Sequence, residues 1–85
     1  MKTDIYYFSG TGNSLDVAQN ISNKIEHSNI ISIPHVINNA NNITGEIIGI
    51  VCPIYFCNVP YIVRDFIKKI KKVEYLFMVY AGSGN

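Results

Sequence analysis

The sequence predicts an α/β fold, a parallel sheet with helices on both faces. Three observations predict it. Short apolar runs alternate along the chain with stretches of helical spacing. Those runs are nearly unbroken, as in strands covered on both faces. The first run passes into a helix through a loop of small residues, SGTGNS at positions 9–14.

Residues 4–8 (DIYYF) are short, apolar and aromatic, and fit a buried strand. Beyond Ser14, Leu15, Val17, Ala18, Ile21 and Ile25 recur at helical spacing. Residues 30–33 are a second apolar run, ended by Pro34. The asparagine-rich stretch 37–45 (INNANNITG) reads as polar loop, so the second crossover is loop or a poor helix. Residues 46–52 (EIIGIVC) form a third buried strand, and 53–59 a loop. Pro60 suits a first helical position. A helix is expected over 61–72, with Ile62, Phe66, Ile67 and Ile70 on one side. Residues 75–80 (YLFMVY) are a fourth strand. Core packing is expected for Tyr6, Tyr7, Phe8, Tyr75 and Phe77, while Tyr80 borders the last loop.

The 85 residues suffice for one domain. At this length folding buries only about 60–65% of the unfolded surface, so stability is marginal. Hydrophobic residues are 48% and charged residues 15%, with a net charge of +1. Seven basic residues are too few for a nucleic-acid footprint, and no nucleic-acid partner is expected. Lys68, Lys69, Lys71 and Lys72 read as the solvated end of a helix, where cations suit the dipole. No apolar run approaches the ~20 residues that span a bilayer, so no membrane partner is expected. The amino terminus lacks the apolar stretch of a signal peptide, which points to the cytoplasm. There Cys52 and Cys57 are reduced thiols, and two cysteines alone make no zinc site. Cys52 ends a buried strand and reads as core. His27 and His35 carry no assigned chemistry.

A strand that ends in small residues and re-enters as a helix presents backbone N–H groups to an anion. Gly10 and Gly12 permit a tight path. Ser9, Thr11 and Ser14 add hydroxyls, and Asn13 adds an amide. Three phosphate loops are excluded. No lysine precedes Ser14, as a P-loop requires. The third glycine of a dinucleotide fingerprint is Leu15. The arginine of a cysteine phosphatase would fall at Val63 or Asn58. A bare tight turn is the plainer alternative, but a turn needs two such residues, and here there are six.

SGTGNS after the first strand resembles the FMN-phosphate loop of the flavodoxin superfamily, with its [ST]-x-T-G-x-[ST] pattern. The segment IYYFSGTGNSLDVA is most similar to the flavodoxin half of flavodoxin–ferredoxin fusion proteins. CPIYFCNVPYIVRDFI resembles that group's second flavin loop, with Pro53, Tyr55 and Pro60 in its frame. VYAGSGN resembles the start of its third loop. The resemblance implies a flavodoxin-like sheet in the order 2-1-3-4, with the family's fifth strand missing. It implies a partial flavodoxin-like domain over residues 1–85, truncated after the fourth strand, whose open edge favours a homo-oligomer.

The resemblance further implies FMN as cofactor, held by Ser9, Gly10, Thr11, Gly12, Asn13 and Ser14 at the phosphate. Pro53, Tyr55, Phe56, Cys57, Asn58, Ala81 and Gly82 would surround the ring, with Tyr55 the preferred stacking residue. The implied function is electron transfer with an unidentified redox partner protein, and no catalytic or metal-ligating residue is assigned. One alternative is a flavin-dependent reductase acting on a small acceptor such as a quinone. Another is a fragment that binds no cofactor and whose sheet only packs or oligomerises.

Overall fold

The computed structural model describes residues 2–9, 12–39, 42–54 and 58–81. β1 (Thr3–Tyr7) lies between β2 (Ser28–Ser32) and β3 (Ile43–Cys52), and β4 (Ile70–Tyr80) pairs with β3. The four strands are parallel, in the order 2-1-3-4 that the resemblance implies. Parallel neighbours need crossovers. α1 (Asn13–Asn23), α2 (Ile33–Val36) and α3 (Tyr61–Lys68) supply them.

Helices lie on both faces. The pleat sends alternate strand residues to opposite sides. Tyr6, Ile48, Ile50 and Cys52 face α2 and α3, where they pack with Ile33, Val63 and Phe66. Ile5 and Val51 face α1 and pack with Ala18 and Ala81. The rings of Tyr6 and Phe66 meet at 4.5 Å between centroids, tilted by 45°.

Several boundaries differ from expectation. The helix of residues 61–72 ends at Lys68, and β4 begins at Ile70. The Lys69 carbonyl accepts the N–H of Ile43 at 2.8 Å, and Ile70 and Val73 pack against the core. Sheet pairing therefore overrides helical spacing there. Only Lys68 closes the helix; Lys69 follows as its cap, and Lys71 and Lys72 belong to the strand. β3 likewise starts at Ile43, inside the expected loop, because that β-branched side chain is buried. A register shift beside Ile43 and Thr44 absorbs the extra residue Lys71. β2 lies two residues earlier than the apolar run suggests at its start, and Ile33 opens α2 instead. α2 is a single turn, the poor helix anticipated for this crossover. Pro60 caps α3 rather than starting it. Tyr75 is not core: it is 63% exposed, since β4 has β3 as its sole strand neighbour among the described residues. None of the described helices is long and apolar enough to cross a membrane.

Candidate functional site

The carboxyl ends of β1, β3 and β4 lie side by side. Tyr7 is in register with Val51, and Cys52 with Tyr80. The ladder continues one residue further on each side: Phe8 N–H donates to the Val51 carbonyl at 3.0 Å, and Ala81 N–H to the Cys52 carbonyl at 2.9 Å. Strands in a sheet stand about 4.8 Å apart, so the three following loops start within roughly 10 Å.

The first loop has a defined exit. Gly12 adopts φ 92° and ψ −13°, a left-handed conformation that glycine enters without steric cost. A Cβ there would meet nothing within 4 Å, so the demand for glycine is conformational, not one of space. Ser9 Oγ accepts the Gly12 N–H at 2.5 Å. The Gly12 carbonyl accepts Asp16 N–H at 3.1 Å and opens α1. Helix geometry leaves the N–H groups of Asn13, Ser14 and Leu15 without intrahelical acceptors, and no side chain among the described residues caps them.

Ser14 is the distinctive residue of this loop. It is 1% exposed, and its Oγ has no hydrogen-bond partner among the described residues. Buried hydroxyls are nearly always paired, and an unpaired one costs about 1–3 kcal/mol. A tetrahedral anion at the start of α1 would accept both this hydroxyl and the orphan N–H groups. The residues present therefore fit a phosphate held without a lysine or arginine. Asn13, at the first helical position, is exposed, and Ser9 is half-buried. Gly10 and Thr11 lie outside the described residues.

In the second loop Pro53 is half-buried and Asn58 exposed; Tyr55, Phe56 and Cys57 lie outside the described residues. In the third, Ala81 is 3% exposed and packs with Ile5, Ala18 and Val51, a structural position; Gly82 lies outside the described residues. Cys52 is fully buried and its thiol is pushed up by burial, as suits a core residue. The described residues contain no cluster of His, Cys, Asp and Glu able to hold a metal. A surface groove lined by Pro34, Ile37, Ile62, Asp65 and Lys68 runs between α2 and α3 and shares no residue with these loops.

Comparison with protein-family models, curated proteins and solved structures found no match to this chain.

Two residues escaped the sequence reading. Tyr61 is 82% exposed at the start of α3, and the Arg64 guanidinium carbon lies 5.8 Å from its ring centroid. Arg64 Nη2 also donates to Asn58 Oδ1 at 3.2 Å. The i, i+3 spacing of Tyr61 and Arg64, directly after the second loop, was the available signal.

Proposed function

We infer that the chain is an FMN-binding, flavodoxin-like electron-transfer domain. The observation that carries this reading is the buried Ser14 hydroxyl at the start of α1, within the SGTGNS segment, which has no partner among the described residues. Ser14 Oγ and the N–H groups of residues 13–15 would hold the phosphate, with Ser9 bracing the loop through Gly12. Thr11, expected from the motif, would add a further hydroxyl. The second and third loops, which leave the sheet beside the first, would flank the ring, with Tyr55 stacking on it. Ligands of open α/β sheets sit at this carboxyl edge.

Bound FMN would supply the redox chemistry, and the chain supplies binding, orientation and local charge. No general acid or base is needed. The acceptor or donor is a redox partner protein, and the location is cytoplasmic, where two thiols stay reduced. A second copy of the chain would cover β4, where Tyr75, Leu76 and Tyr80 are 63%, 46% and 51% exposed. Equilibrium titration with FMN, and with riboflavin as the phosphate-free comparator, tests the reading.

A further inference from the structure

We propose that the groove between α2 and α3 is a docking site for an acidic segment of a partner protein, held by apolar anchors in the groove and by the lysines at its rim. The proposal does not rest on the flavin reading.

The groove follows from unequal helices. α2 has four residues and α3 eight, so α2 runs about 6 Å beside about 12 Å of α3. The shorter helix does not cover the flank of the longer one. A groove of about 710 Å³ remains between them, lined by Pro34, Ile37, Ile62, Asp65, Lys68 and Lys69. Its apolar part is Pro34, which is exposed, and Ile37 and Ile62, which are half-buried and rest on the core beneath.

Charge is unevenly divided along the chain. Residues 60–74 hold five of the seven basic side chains and two of the six acidic ones, a net charge of +3, while the remaining residues carry −2. Lys68 and Lys69 line the groove, and Lys71 and Lys72 follow at the start of β4, Lys71 as the extra residue of the register shift. Lys68, Lys71 and Lys72 are exposed. None of the four ammonium groups makes an ion pair or hydrogen bond among the described residues, and Asp65, three and four residues before Lys68 and Lys69, pairs with neither. A helix end accounts for one such cation through its dipole, not for four, two of which lie in a strand.

An apolar floor with cations at its rim matches a segment that carries carboxylates around one or two apolar side chains. Attraction between the charges speeds encounter, and burial of the apolar anchors holds the segment in place. A small molecule would need polar groups placed inside the cavity, whereas the charges here stand at the rim and continue past it along the chain. A single-stranded nucleic acid would need aromatic platforms, and no aromatic side chain lines the groove among the described residues.

The probe is a short fluorescein-labelled peptide of glutamates that bears two leucines, titrated into the full chain and followed by fluorescence anisotropy and by backbone amide NMR shifts. It should bind, with shifts centred on residues 34–38 and 62–69. The same peptide with serines in place of the leucines should bind at least about tenfold more weakly. Lys68→Glu combined with Lys72→Glu changes two exposed side chains and should weaken binding roughly three- to thirtyfold. Lys24→Glu, at the end of α1, should stay within about twofold of the parent at physiological salt. No binding of the leucine peptide, or shifts centred elsewhere, overturns the proposal. Equal binding of the serine peptide overturns the role of the groove, and an equal loss in Lys24→Glu overturns the role of the lysine cluster. Oligouridylate or phosphatidylserine vesicles that bind as tightly as the peptide assign the cluster to a different partner and overturn the proposal. Groove shifts on concentrating the chain alone assign the groove to a second copy and overturn it too.

Discussion

The hydroxyl oxygen of Ser9 accepts the N–H of Gly12 at 2.5 Å, and Gly12 turns left-handed at φ 92° to begin α1. The two features form one device: the bond closes the loop, and the turn aims the helix start. Gly12→Ala should destabilise the chain by about 1–2 kcal/mol through backbone strain alone, since the added methyl meets open space. Ser9→Ala should cost about 0.5–1.5 kcal/mol. Urea midpoints of both variants check this, and a stability loss in Gly12→Ala well above that range would point to a clash instead.

Gly49 faces Phe77, its register partner on β4, so closely that a methyl group has no room between them. Gly49→Ala should therefore cost about 1–3 kcal/mol by overpacking. Adding Phe77→Ala should recover part of that loss. Non-additivity in a double-mutant cycle, read from urea midpoints, is the check.

Alkaline pH should unfold the chain from the inside. Burial, and then the charge of Asp4, push the Tyr6 hydroxyl above its usual value of 10.0. Burial pushes the Cys52 thiol above 9.0. In the unfolded chain both ionise at their ordinary values, so the unfolded state sheds protons first. Stability from these groups is complete below about pH 9 and falls as pH rises through the folded-state values. Tyr6→Phe should flatten the fall above about pH 10. Urea midpoints across that range test the sign, and a rise in stability with alkaline pH would refute it.

The two-sided parallel sheet was legible in the sequence because unbroken apolar runs such as IIGIVC alternate with helical spacing, while the strand order came only from the family resemblance. The turn from β1 into α1 was legible because small or polar residues run from Ser9 to Ser14, between an apolar run and helical spacing. Boundaries were less so. Residues 69–72 have helical spacing in isolation, yet Ile43 pairs with Ile70 and draws them into β4. Tyr75 looked buried because its neighbours are apolar, but exposure depends on what lies beside β4, which composition does not encode. The contacts of Arg64 with Tyr61 and Asn58 depend on how the loop meets α3, a matter of geometry.

β4 should promote self-association. Its exposed aromatic side chains, and an edge that no strand pairs among the described residues, call for cover, and a two-fold pairing of β4 with β4 would protect both copies at once. Sedimentation should show a dimer at roughly tens of micromolar, a range suited to weak association. Tyr75→Lys, which adds charge at the edge, should shift the population to monomer. A parent that stays monomeric, and folded, at that concentration contradicts the expectation.

Ser14 offers the most direct measurement. Its hydroxyl is buried without a partner among the described residues, so Ser14→Ala should leave the urea midpoint unchanged or slightly raised. The same change removes a donor to a charged phosphate, worth about 1.5–3 kcal/mol, or roughly 10- to 150-fold in affinity. Equilibrium titration of the parent and the variant, each with FMN and with riboflavin, reads both effects against each other. The parent should bind FMN far more tightly than riboflavin, and Ser14→Ala should lose FMN affinity while its weak riboflavin binding stays the same. A parent that binds no FMN, or that binds FMN and riboflavin equally, contradicts the assignment.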